Sequence, residues 1–462
     1  MSLTRARRIA IVACAVAAPA PAVASGFAAA EFGGEHGNVV TTNPTALYFN
    51  PAGIALGEGT RFYVSGVLAW RRASWTHAQA ASEMPEPPGA EGADTGQARF
   101  SNVFGAPALA AATRIRRLSV GGAFYVPFGG RAHWDPNPRF ANDPNFPLAA
   151  AGVQRWHLIE GAVTSLYFTV GAAARFGPVA LGVTGNLVRS SVFSQQAKSF
   201  NPQQVVDPLN EGRIGIDVSG IHGSFGIGAM VEAIRERLWF GASYQAPPGL
   251  GPMHLDGTLS TSYRTDVAPP RPVTYTYALP DILRAGLRVR PPMAGPRALE
   301  LRLYGDLTRW SRFQSQCVSI QGEPCAVFPD DGTDATPGAT TIQNINRRWN
   351  DTYGANLGAS FWTSDAVELF AGTGFATAAT PDATLDPMMP DANNFRFAIG
   401  SRVAVPGGFH ITAGLTAVQY FSRDNTGRST LTDPQLPTRR PDGGGKYELW
   451  LGLFQVSLEK QL

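Results

Sequence analysis

Leu299-Glu300-Leu301-Arg302-Leu303-Tyr304-Gly305-Asp306-Leu307-Thr308 decides the fold class. Successive side chains of a β-strand point to opposite faces. Leu299, Leu301, Leu303 and Leu307 therefore share one face, and Glu300, Arg302, Tyr304, Asp306 and Thr308 share the other. The pattern recurs in Phe395, Phe397, Ile399, Val403 and Val405 against Arg396 and Arg402. It recurs again in Phe409, Ile411, Ala413, Leu415 and Ala417 against His410, Thr412 and Thr416. Two architectures produce such strands: a soluble sandwich, and a transmembrane barrel with one face in lipid and one in a polar lumen.

The N-terminus and the composition favour the barrel. Arg5, Arg7 and Arg8 precede the apolar run Ile9 to Ala18, and Ala22-Val23-Ala24 fits a small-x-small cleavage site, so residues 1–24 read as a signal peptide. No later apolar run reaches the roughly 20 residues of a membrane helix. The chain has 51 glycines, 10% aromatic and 16% charged residues, a mixture suited to many strands and turns. The formal charge of +3 equals the three leader arginines. The mature chain thus has no basic excess, which argues against nucleic acid as a partner.

The connections alternate in length. Phe176–Pro178, Ile234–Arg237, Thr363–Ala366 and Pro406–Gly408 are short. Ala78–Gly96, Gly130–Gly152, Gln195–Arg213, Gln316–Arg348, Ala379–Asn393 and Asn425–Gly444 are long and rich in Pro, Asp, Asn and Gly. Outer-membrane barrels have short periplasmic turns and long outer loops. The expectation is an all-β transmembrane antiparallel barrel over 60–462, in the outer membrane of a Gram-negative-type cell. Cys317 and Cys325 share one long loop. An oxidising compartment would let them pair, a closure adding roughly 2–3 kcal/mol; a free pair is the alternative.

Residues 25–59 do not read as a strand. They are glycine-rich, and Asn43-Pro44 and Asn50-Pro51 each place a capping residue before a proline suited to a first helical position. Two short helical turns in a compact segment are expected, either a plug inside the barrel or a periplasmic tail.

These pieces together resemble the FadL/TodX family of outer-membrane transporters for long-chain fatty acids and hydrocarbons. Asn50-Pro51-Ala52 resembles the family's hatch motif, and Leu118–Gly130 (LSVGGAFYVPFGG) its third strand. Trp239–Gln245, Leu279-Pro280-Asp281, Asp306–Phe313 (DLTRWSRF), Trp349–Tyr353 (WNDTY) and Pro381-Asp382-Ala383-Thr384 with Pro390-Asp391-Ala392 follow in the family's order. The resemblance implies fourteen strands, a hatch at 25–59 plugging the lumen, and a hydrophobic ligand such as a long-chain fatty acid. The ligand would be captured at the outer loops and released sideways into outer-membrane lipid. Neither cofactor nor metal is implied.

Pro127 removes a ladder donor, and glycines permit bulges, so Pro127, Phe128, Gly129 and Gly130 are expected to frame a lateral opening. Where some members hold a fatty carboxylate with basic residues, this chain has Ser194 and Asn350. Arg189, Arg347 and Arg348 lie near in sequence and are candidates for the head group, a neutral or aromatic hydrocarbon being the alternative ligand. A lipid hydrolase and a purely structural barrel are competing classes. No G-x-S-x-G elbow is present, and the seven histidines show no metal-ligand spacing, so no catalytic residue is assigned. Barrel-assembly machinery is an expected partner during biogenesis. The terminal residue Leu462 replaces the usual final aromatic, while Phe454, Val456 and Leu458 still alternate toward it.

Overall fold

The computed structural model describes residues 32–80, 83–263, 266–293, 297–328, 340–432 and 440–462. The expected signal peptide and residues 25–31 lie outside the described residues. Fourteen antiparallel strands form one closed wall. Six are continuous: β1 (Thr60–His77), β2 (Gly96–Ile115), β3 (Leu118–His133), β4 (Glu160–Phe176), β5 (Val179–Ser199) and β6 (Glu211–Ile234). The next four each consist of two pieces. They are β7 (Leu238–Gln245, Met253–Tyr263), β8 (Asp266–Tyr277, Ile282–Val289), β9 (Ala298–Thr308, Ser315–Ile320) and β10 (Thr341–Asn346, Thr352–Ser364). β11 (Val367–Ala376), β12 (Asn394–Val405), β13 (Phe409–Tyr420) and β14 (Lys446–Gln461) complete the wall. β14 closes it on β1 in a continuous register from Arg61↔Gln461 to Thr76↔Lys446. That closure separates the barrel from the sandwich, which has free edges.

The alternation that marks β9 is realised in its burial. Leu301 and Leu303 are 38% and 48% exposed, while Glu300 and Arg302 are 4% and 2% exposed. Outward positions around the wall form an apolar band, including Phe62, Val64, Leu187, Ile227, Phe397, Ile399 and Val456. Aromatic rings mark its outer edge. Trp70 meets Trp450 edge-on with centroids 5.4 Å apart, and the Arg72 guanidinium lies 4.0 Å over Trp70. Amphipathic rings favour such interfaces.

Several expected loops begin later than their composition suggests. Gly130–His133, Gln195–Ser199 and Gln316–Ile320 are strand. Above the lipid, ladder hydrogen bonds persist although both faces become polar. On β6, outward Phe225 and Ile221 give way to Ser219 and Asp217 without a break in pairing to β5. The outer β7–β8 connection is also short, its register reaching Tyr263↔Asp266.

Inside the wall, residues 32–59 form a compact segment with two helical pieces, Ala46–Phe49 and Pro51–Leu56. Asn50 organises it. Its side-chain nitrogen donates to the Val39 carbonyl (2.9 Å) and to Ala229 O on β6 (3.0 Å), while its oxygen accepts from Ala52 N (3.2 Å). Ser243 on β7 donates to Phe49 O at 2.5 Å. Wall glycines leave the space this contact needs. A Cβ at Gly182 would overlap the Pro51–Ala52 backbone, and one at Gly228 would overlap the Asn50 side-chain oxygen. Val39, Leu47, Ile54 and Ala55 pack on Ala173, Ala180, Met230 and Trp239 of the wall. At the other end, Glu35 pairs with Arg396 (3.2 Å) and His36 with Glu368 (2.7 Å).

Asn50→Ala orphans two buried carbonyls at about 1–3 kcal/mol each. The expected outcome is an N-terminal segment cut by protease at lower concentration, with the wall still migrating as a folded barrel on an unheated gel. Unchanged protease resistance would show that Asn50 does not hold the segment.

Candidate functional site

The site grows from one irregularity in β3. Tyr125 pairs with Tyr167 of β4, and Phe128 pairs with Ser165, so β3 spends three steps where β4 spends two. The extra residue is a bulge at Val126-Pro127. Period-two alternation would put Tyr125 and Phe128 on opposite faces. The bulge turns both inward, where they are 0% and 4% exposed.

On its other side β3 parts from β2. Their ladder runs from Ile115↔Leu118 to Leu109↔Phe124 and stops, although β2 remains paired with β1 as far as Gly96. Val103–Ala108 therefore face β3 without a ladder partner there. At about 3.3 Å per residue the unpaired run is roughly 20 Å long. Pro107 and Pro127 stand on its two edges. The seam recloses at its outer end: the Asn102 side chain accepts from His133 N (2.9 Å) and donates to His133 O (3.3 Å), and Asp135 N donates to Arg99 O (2.8 Å). Behind the gap, Phe32 of the N-terminal segment stacks on Tyr125 with centroids 4.9 Å apart.

Two cavities meet at this irregularity. An outer one of about 890 Å³ is lined by Gly130, Leu158, Val192, Ile214, Tyr275 and Trp349, among others, and is predominantly apolar. An inner one of about 900 Å³ lies between the N-terminal segment and the wall, and is lined by Phe32, Tyr48, Phe49, Pro127, Phe128 and Trp310. Aromatic rings separate them. Trp310 lies 5.0 Å from Trp349 and 6.1 Å from Phe128, and Phe313 lies 4.6 Å from Trp349.

The broken strands deliver those rings. The interruptions of β8, β9 and β10 coincide with the Leu279-Pro280-Asp281, Trp310–Phe313 and Trp349–Asp351 segments. Freed from the ladder, the chain turns Trp310, Phe313 and Trp349 into the lumen, all at or below 2% exposure. Side chains brace the breaks. Asp281 accepts from Arg309 (3.3 Å) and from Arg312, and Asp351 accepts from Ser311 N (2.9 Å). Sequence reading quoted these motifs without giving the rings a role. Their detectable signal was the loss of alternation at aromatic residues after Thr308.

The proposed head-group arginines do not come together. Arg189 sits at an outward position of β5, opposite Leu166 and Ile221, and is exposed. Strand parity puts Ser190 and Val188 in the lumen instead, so Arg189 is corrected from pocket to outer wall. Arg348 is exposed at a left-handed backbone position, φ 46°. Arg347 is fully buried, but it is committed elsewhere: it donates to Gln316 (2.6 Å) and pairs with Asp386 at 3.0 Å. Ser194 lines the outer cavity, and Asn350 is exposed.

Arg347 instead ties down the loop between β11 and β12, whose Met388 and Met389 close over the outer cavity. Burial alone would raise the Asp386 carboxyl. The Arg347 guanidinium and the His157 ring, 3.8 Å away, outweigh that and hold it well below the usual carboxylate range. Cys317 and Cys325, whose Cα atoms are 6.3 Å apart, form a disulfide at the outer end of β9. Among the described residues no group of three His, Cys, Asp or Glu is placed to hold a metal.

No family model and no curated protein matches the chain. Solved structures do. A Pseudomonas aeruginosa FadL homologue is 18% identical over 96% of this chain and 99% of its own, with a TM-score of 0.72. The Ralstonia pickettii toluene transporter TbuX is 14% identical over 91% and 94%, and the P. putida toluene transporter TodX 13% over 91% and 94%, both with a TM-score of 0.62. The chain shares their fold.

A depressed folded-state pKa stabilises above the unfolded value, and that stabilisation is lost as pH falls through the folded value. The Arg347–Asp386 tether should accordingly persist across neutral and mildly acidic pH and fail only below the ordinary carboxylate range. Asp386→Asn leaves Arg347 buried without its counter-charge, a loss of about 3–5 kcal/mol for a buried pair. Hydrogen exchange should show faster opening of residues 377–393 in that variant at pH 7. Exchange equal to wild type would contradict the tether.

Proposed function

We propose that the protein is an outer-membrane transporter, not an enzyme, for passive uptake of hydrophobic small molecules. The ligand enters beneath the outer loops, rests in the outer cavity, and leaves sideways into the membrane between β2 and β3. The observation that carries this reading is the coincidence of three features: an unpaired seam, a bulge that turns Tyr125 and Phe128 inward, and two cavities that share the Pro127–Gly130 segment. The fold likeness to a FadL homologue and to two toluene transporters supports it.

The hydrophobic effect favours lateral exit. An apolar chain gains about 0.8 kcal/mol per CH₂ removed from water. Release into the periplasm would forfeit that gain, and release into the bilayer keeps it. Residues 32–59 act as the hatch that blocks the axial route, held on β5, β6 and β7 by Asn50, Pro51 and Ala52. The Trp310–Trp349–Phe313 shelf lies between the outer cavity and the gap, so ring displacement there admits the ligand to the exit.

Long-chain fatty acids are the first substrate class. Monoaromatic hydrocarbons are the second, favoured by the ring-lined shelf and by the uncharged Ser194 in the cavity wall. Mass spectrometry of molecules retained through purification distinguishes them.

Gly129 tests the exit. A Cβ there would press on Val163 O at 3.3 Å and Val126 Cγ1 at 3.4 Å, so a larger side chain crowds the Val126-Pro127 bulge at the edge of the seam. Cells carrying Gly129→Leu should take up labelled fatty acid or toluene no faster than cells lacking the protein, while the variant barrel folds and reaches the membrane. Wild-type uptake by this variant would exclude exit at this seam.

A further inference from the structure

The short-turn end of the barrel is basic on one side only. Four successive turns, β2–β3, β4–β5, β6–β7 and β8–β9, hold seven arginines: Arg116 and Arg117, Arg175, Arg235 and Arg237, and Arg290 and Arg297. Glu232, Glu236 and Glu300 are the carboxylates at the same strand ends, and Glu300 is shared with Arg288 and Arg302 of the lumen. The remaining short turns, Thr363–Ala366 and Pro406–Gly408, carry Asp365 and no cation.

Backbone hydrogen bonds join the four turns into one row. Arg175 N donates to Arg117 O (3.1 Å), Glu232 N to Pro178 O (2.8 Å) and Arg290 N to Arg237 O (2.8 Å). Arg175 pairs with Glu232, and Arg290 with Glu300. Arg235 reaches Glu236 at 3.5 Å with both side chains exposed, a weak contact in water. Arg116, Arg117, Arg237 and Arg297 are exposed, and no carboxylate of the described residues lies within 4.0 Å of them.

Position agrees with charge. Ile115, Leu118, Phe176 and Ile234 stand beside these arginines and are exposed at the end of the apolar band. A guanidinium there lies at the depth of lipid head groups, where its stem covers apolar surface and its planar fork matches a phosphate. Cations clustered at that depth attract an anionic membrane surface. The apolar side chains next to them are lipid-facing wall positions, so the row borders a bilayer rather than a water-facing contact area that a soluble acidic protein would need.

We propose that this basic row docks anionic phospholipid, a phosphodiester head group of net negative charge on acyl tails, in the leaflet at the short-turn end, which is the periplasmic leaflet for an outer-membrane barrel. The docking needs only a membrane-embedded wall and is independent of what the lumen carries. The test is native mass spectrometry of the purified barrel in detergent, titrated with phosphatidylglycerol or with phosphatidylcholine of the same acyl chains. Wild type should bind phosphatidylglycerol about tenfold more tightly, and the preference should shrink as salt rises. The variant Arg116→Gln, Arg117→Gln, Arg235→Gln, Arg237→Gln should bind the two lipids equally. A control with four exposed arginines removed at the long-loop end, Arg72→Gln, Arg99→Gln, Arg139→Gln, Arg428→Gln, should keep the preference, and both variants should migrate as folded barrels on an unheated gel. Equal binding by wild type, a wild-type preference indifferent to salt, an intact preference in the turn variant, or its loss in the control overturns the proposal. Competition by glycerol phosphate as strong as that by phosphatidylglycerol would show a free-phosphate site and overturns lipid docking as well.

Discussion

Hydrocarbon offers a peptide group no hydrogen-bond partner, and each backbone N–H or C=O left open there costs several kcal/mol. A strand wall meets that demand only by closing, which β14 does on β1 over sixteen residue pairs. The same demand governs every departure from regularity. Where β8 to β10 break, Arg309 N still donates to Asp281 O and the Asp351 carboxylate accepts from Ser311 N. Where β2 leaves β3, the Asn102 side chain takes both the donor and the acceptor of His133. The remaining unpaired seam is backed by aromatic rings and by the N-terminal segment rather than left open to lipid alone.

Steric detail then converts a wall into a filled barrel. Gly182 and Gly228 hold no functional atoms, yet they set how closely Asn50-Pro51-Ala52 approaches the ladder. Charges in the lumen are mostly paired, as in Glu300–Arg302 and Glu35–Arg396. They hold the segment in register with the wall.

The strand periodicity, the connection lengths and the Asn-Pro turns were legible because each is a local property. Alternation reports which face a side chain occupies, and Leu299–Thr308 needed no partner to be read as a strand with a polar side. Proline at 127 likewise announced a fault in β3. Loop starts were less legible, since above the lipid the ladder continues without the alternation that betrays it. Arg189 shows the remaining limit: it lies near Ser194 in sequence, but the offset between them is odd, and parity sends it to the outer wall.

Sequence by itself therefore determined the architecture: strands with one apolar and one polar face, a proline-glycine fault in the third, and a compact helical segment ahead of the first. Only the tertiary structure decided which backbone groups go unpaired, that the fault lies between β2 and β3, that Trp310, Phe313 and Trp349 meet in the lumen, and that Arg347 is consumed by Asp386. The reason is physical. A face is fixed by the two-residue period of one chain segment, whereas pairing, cavity and counter-charge depend on which distant strands closure brings together.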